Sequence, residues 1–84
     1  MSTFIITGGT GSLGSRIVQR ILNDTTQQHT VIIFSRDEQK QYRLRKKIDQ
    51  AYPGQTIFIV GDVRNKNSLI QAIRHTRPDT IIHT

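Results

Sequence analysis

Cysteine is absent from this chain of 84 residues, which excludes a disulfide framework and a thiolate metal site. No apolar run approaches the length that crosses a bilayer. The opening MSTFIITGGTGS lacks the basic start and long apolar centre of a secretory leader. These absences fit a reducing, cytoplasmic setting with no membrane partner. Acidic residues are scarce as well: six Asp and Glu stand against twelve Lys and Arg, a net charge of +6. The pI near 10.6 favours an anionic partner, whether nucleic acid, an acidic surface or a phosphorylated cofactor. At this length only about 60–65 % of the surface is buried on folding, so residues 1–84 have room for one domain of modest stability.

What the chain does contain is regular. Four runs are continuously apolar, Phe4 to Ile6, Val31 to Phe34, Ile57 to Val60 and Ile81 to Ile82, the pattern of strands buried on both faces. Three segments of helical spacing separate them. The first sets Leu13, Ile17 and Ile21 on one stripe, widened by Val18 and Leu22. The second, from Asp37 to Tyr52, carries Leu44, Ile48 and Ala51 or Tyr52 and is stopped by Pro53 and Gly54. The third, from about Asn65 to Thr76, turns Leu69, Ile70 and Ile73 inward. The order β-α-β-α-β-α-β predicts an α/β fold with a parallel sheet and right-handed crossovers. Strand order 3-2-1-4 would make it the first half of a doubly wound, Rossmann-type NAD(P)-binding domain.

The turn after the first strand carries the strongest motif. Thr7-Gly8-Gly9-Thr10-Gly11-Ser12-Leu13-Gly14 satisfies TGxxGxxG through Gly8, Gly11 and Gly14, and GxGxxG through Gly9, Gly11 and Gly14. Glycines there permit a tight turn, close approach of backbone amides to a pyrophosphate, and tight packing of helix on strand. The phosphates would meet the positive end of the helix, with the Thr10 and Ser12 hydroxyls as further donors. A P-loop is excluded because no Gly-Lys-Ser/Thr ends the turn.

At the end of the second strand an NAD site usually carries an acidic residue for the ribose 2′-hydroxyl. Here the chain reads Phe34-Ser35-Arg36-Asp37-Glu38-Gln39-Lys40. Ser35, Arg36 and Lys40 stand where a 2′-phosphate would lie, and arginine offers that group a planar donor fork. NADP is therefore expected over NAD, although Asp37 keeps NAD open. A structural reading runs beside it, with Ser35 as helix cap and Glu38 completing a capping box.

Arg36, Lys40, Arg43, Arg45, Lys46 and Lys47 hold half of the positive charge within twelve residues. No aromatic platform or nucleic-acid motif accompanies them, so a solvated helix face is expected and no nucleic-acid partner. Tyr42 and Lys46 spell YxxxK by chance, on a helix that flanks the adenosine half of such a site. After the third strand, Gly61-Asp62-Val63-Arg64 sits where open α/β sheets bind ligands. Asp62 is expected to accept from the adenine amino group, with Val63 packed on the ring; a simple turn into the next helix is the alternative. His83 and Thr84 end the fourth strand beside the cofactor path. His29 and His75 read as surface residues, and no histidine pair has metal-ligand spacing.

Taken in order, TGGTGSLG, FSRDEQKQ and GDVRN resemble the extended short-chain dehydrogenase/reductase superfamily. More narrowly they resemble the UDP-N-acetylglucosamine 4,6-dehydratase group of the polysaccharide-biosynthesis (CapD-like) proteins. The resemblance implies pyrophosphate binding by Thr7 to Gly14, 2′-phosphate binding by Ser35, Arg36 and Lys40, and adenine binding by Asp62 and Val63. In the complete family enzymes it implies oxidation of a UDP-sugar at carbon 4, loss of water across carbons 5 and 6, and return of the hydride. Asn65 stands where members usually carry Asp. The family continues beyond His83 as Ala-Ala-Ala, into the catalytic tyrosine, lysine and sugar lobe. The expectation is thus an amino-terminal NADP-binding segment with no catalytic residue and no metal site. A non-catalytic nucleotide-binding module and an epimerase or reductase fragment are the alternatives. Self-association through an unpaired fourth-strand edge follows from the same reading.

Overall fold

The structure, a computed structural model, describes residues 2–24 and 26–84. Strands and helices alternate strictly: β1 (Ser2–Thr7), α1 (Ser12–Leu22), β2 (His29–Ser35), α2 (Glu38–Ala51), β3 (Thr56–Val60), α3 (Lys66–Thr76) and β4 (Thr80–His83). All pairings are parallel and the sheet runs β3-β2-β1-β4, the expected Rossmann-type half-sheet. Parallel strands need crossovers, and the three helices supply them.

The continuous apolar runs are explained by helices on both faces of the two middle strands. On one face Ile6, Val31 and Ile33 pack with Val18 and Leu22 of α1 and with Leu44 and Ile48 of α2. On the other, Ile5, Ile32 and Phe34 pack with Ala72 of α3, joined by Leu69 and Ile73. Ile5, Ile6, Ile32, Ile33 and Phe34 are wholly buried, each contributing about 1.5–3 kcal/mol of transfer free energy. Among the described residues no helix is long and apolar enough to cross a membrane.

Several local expectations are corrected. The outer strands are not buried on both faces: Ile57 of β3 and Ile81 of β4 are exposed, because they share the face of Ile5 and Ile32, where α3 is the one covering helix. Leu13 is 62 % exposed and Ile70 44 %; Gly14 and Ala72 are buried instead. Ser35 does not cap α2. Asp37 does, its Oδ1 accepting from Lys40 N–H at 3.0 Å, while Ser35 ends β2 and is buried. His29 is no surface residue. At 8 % exposure it lies edge-on to the Phe4 ring and shares a 2.9 Å hydrogen bond between Nε2 and Asp24 Oδ2. His75 is exposed, as expected.

Candidate functional site

Because the strands are parallel, all four carboxyl ends meet at one rim of the sheet. The segments that follow β1, β2 and β3, together with the end of β4, enclose an open cleft of about 510 Å³ there.

The glycine turn forms its floor. Gly8 continues β1 by donating N–H to Phe34 O at 3.0 Å, then bends at φ +70°, a left-handed conformation that glycine adopts without steric penalty. Its carbonyl accepts from Gly11 N–H at 3.0 Å, closing the turn. Gly11 stands at the N-cap of α1 and gives the helix no side-chain cap, so the first-turn amides remain directed outward for an anion. A Cβ on Gly11 would meet one atom within 4 Å, Gly8 O at 3.4 Å. Gly14 serves packing instead. A Cβ there would collide with the Gly8 carbonyl and lie 2.7 Å from Gly9 Cα, so its hydrogen is what lets α1 seat on the turn. A Cβ on Gly9 would meet the Ile33 side chain at 2.9 Å, which places Gly9 toward the core.

The opposite wall is cationic. Arg36 and Lys40 line the cleft beside Ser35. Beside Arg36, Asp62 has its Oδ1 accepting from Arg64 N–H at 2.9 Å and from Arg64 Nε at 3.2 Å, while Oδ2 accepts from Arg64 Nη2 at 2.9 Å. Arg36 Nη1 lies 3.8 Å from the same Oδ2. The Arg64 hydrogen bonds, aided by the Arg36 charge, lower the Asp62 pKa from 3.8 to about 2, and the ion pair raises that of Arg64 in turn. Asp62 is therefore a carboxylate at any ordinary pH.

Gln41 fastens this wall to the sheet. Buried at the start of α2, it donates through Nε2 to Ser35 Oγ at 2.8 Å and Ile59 O at 2.9 Å, with Ser35 O at 3.2 Å. One side chain thus ties the ends of β2 and β3 to the helix that carries Lys40. At the far end Thr7 Oγ1 and His83 Nδ1 are 2.6 Å apart, and the Thr84 hydroxyl donates to Thr7 O at 2.6 Å.

Of the sequence-derived site residues, Thr7, Gly8, Thr10, Gly11, Ser35, Arg36, Lys40, Asp62 and Val63 line one cleft. Gly9, Ser12, Leu13 and Gly14 do not line it. Tyr42 and Lys46 lie outside it, the Lys46 ammonium 4.7 Å from the Tyr42 ring centre. Arg45 stacks likewise over Phe58 at 4.9 Å, so part of the basic helix is engaged with rings. Sequence reasoning missed Arg64 and Gln41; the position of Arg64 two residues beyond Asp62 was the available signal. Among the described residues no group of three or more His, Asp or Glu is arranged to hold a metal.

The cleft fits a dinucleotide on its own geometry: a floor that side chains would fill, an uncapped helix start, and a cluster of cations at the opposite wall. A family model described as polysaccharide biosynthesis protein matches residues 4–84. A UDP-glucose 4-epimerase from Rickettsia bellii is 41 % identical over 83 residues, 96 % of this chain and 23 % of that protein. The chain thus spans about a quarter of that relative's length. Among solved structures, dTDP-glucose 4,6-dehydratase from Bacillus anthracis in complex with NAD superposes with a TM-score of 0.80 at 21 % identity, over 99 % of this chain and 26 % of that one. L-threonine dehydrogenase from Clostridium difficile gives 0.66 at 29 % identity, over 99 % and 23 %.

Proposed function

Since the chain belongs to the polysaccharide biosynthesis protein family, of the extended short-chain dehydrogenase/reductase type, we propose that it is the NADP-binding segment of an enzyme acting on a nucleotide-linked sugar. The observation that carries this reading is the single cleft that joins the uncapped start of α1 to Arg36 and Lys40. A pyrophosphate lies against the free amides of the first turn of α1. The adenosine 2′-phosphate lies toward Ser35, Arg36 and Lys40, with the adenine beside Asp62 and Val63.

When bound, the nicotinamide supplies a reversible hydride acceptor. In this reading the residues of this chain bind and orient the cofactor. Of the two chemistries that begin with oxidation at carbon 4, 4,6-dehydration is our first reading, supported by Ser35-Arg36-Asp37-Glu38 with Lys40 and Gln41. Epimerisation at carbon 4 is the second, favoured by the likeness to UDP-glucose 4-epimerases.

Titration of the full-length protein with NADPH and NADH tests the cofactor, with NADPH expected to bind at least about tenfold more tightly, the scale of one charge-assisted contact; equal binding overturns the NADP reading. Incubation with UDP-N-acetylglucosamine and UDP-glucose tests the chemistry. A product lighter by one water supports the dehydratase, whereas one of unchanged mass and inverted carbon 4 supports the epimerase.

A further inference from the structure

We infer that Arg64 is a second reader of the adenosine 2′-phosphate and so a determinant of NADP over NAD. The inference rests on the cofactor reading above and adds a residue to it. Its support lies in where Arg64 sits, how it is held and which charges surround it.

Arg64 lines the same cleft as Arg36 and Lys40 although it comes from a different loop. Its guanidinium is held rather than loose: the two-point grip on Asp62 fixes the plane of the fork, and the Arg64 N–H to the same carboxylate fixes the backbone that carries it. Arg36 also approaches the same oxygen, Asp62 Oδ2. One carboxylate oxygen therefore gathers two guanidinium groups from the ends of β2 and β3, which without it would repel one another.

The charges around this point are those of an anion site. Arg36, Arg64 and Lys40 supply three positive charges; Asp62 and the helix-capping Asp37 supply two negative ones. The surplus is one unit, and a phosphate monoester brings about 1.5 to 2 negative charges at neutral pH. A ribose 2′-hydroxyl brings none. The Arg64 side chain is 74 % exposed, which leaves its remaining N–H groups free for a ligand. A bare ion pair with Asp62 would not need the second arginine nearby, whereas the free oxygens of a phosphate monoester are well matched to two forks.

The test is the ratio of NADPH to NADH affinity, measured by calorimetry on the full-length protein for wild type, R64Q, R64K and R36Q. Adenosine 2′,5′-bisphosphate and AMP serve as probes free of nicotinamide. R64Q is expected to weaken NADPH and the bisphosphate about tenfold, the scale of one charge-assisted contact, and to leave NADH and AMP within about twofold. R64K, which keeps the charge and loses the fork, is expected in between. A wild type that prefers NADPH, with R36Q losing that preference and R64Q keeping it in full, overturns the role of Arg64 and leaves the cofactor reading intact. Equal weakening of all four ligands by R64Q also overturns it, since that is the mark of a displaced loop. A wild type without preference for NADPH overturns both.

Discussion

At the scale of single residues, the missing Cβ of Gly14 and the buried amide of Gln41 matter more than their sizes suggest. Gly14→Ala drives a methyl into the Gly8 carbonyl and against Gly9 Cα. Because the obstacle is backbone, relief requires moving α1 off the turn, and we expect a loss of about 1–3 kcal/mol. Thermal unfolding checks it, with Gly11→Ala as a control that keeps nearly wild-type stability while weakening nucleotide binding. Gln41→Leu leaves Ser35 Oγ and Ile59 O without their donor, a cost of about 1–3 kcal/mol by chemical denaturation. The glycines were legible in the sequence because their spacing encodes the turn. Gln41 was legible only in part: standing three and seven residues before Leu44 and Ile48, it lies on their inward stripe, but its partners lie in two other elements and no spacing names them.

At the scale of elements, helix and strand positions follow from hydrophobic spacing to within about two residues at most ends, and the strand order follows from the alternation of types. What spacing does not carry is how many helices cover a face. Leu13 and Ile70 sit at proper helical intervals yet face outward, since α1 meets the sheet through Val18 and Leu22 and α3 through Leu69, Ala72 and Ile73. The cap of α2 shifted for a related reason: Ser35 and Asp37 both suit an N-cap, and Ser35 was claimed by the strand and by Gln41. On the side of α3, Ile57 and Ile81 remain exposed. β4 pairs with β1 alone. An apolar edge strand invites pairing, so these 84 residues on their own are expected to associate at high concentration. Ile81→Lys should lower the weight-average mass in sedimentation while leaving the melting temperature nearly unchanged, its side chain being half exposed; an unaltered mass would count against β4 as the contact.

For the molecule as a whole, two carboxylates contribute to the response to acid. Asp24 is held down to about 2 by the Thr26 hydroxyl first and then by His29, and Asp62 is lowered to a similar value by Arg64. Folded pKa values below the unfolded 3.8 mean that both contribute fully above that pH and lose the contribution as pH falls from 3.8 towards 2. Melting temperature is therefore expected to be level from neutral pH to about 5 and to fall below about 4. Asp24→Asn should melt lower at neutral pH and show a shallower acid limb.

The strand β1 precedes both of its sheet neighbours in the chain, and β4 is made well after β2 and β3. Thr3 meets Asp79, Thr7 meets His83, and Thr7 O receives the Thr84 hydroxyl, contacts that span 76 or 77 residues of chain. On a ribosome adding about 5–20 residues per second, β1 therefore waits several seconds with one side open while β2 and β3 assemble on the other. The rim of the cleft, where Gly8 lies against Thr84, gains its β4 side only when that strand has left the exit tunnel. A nascent chain arrested before that point is expected to hold the layer of α1 and α2 without the β4 side of the cleft.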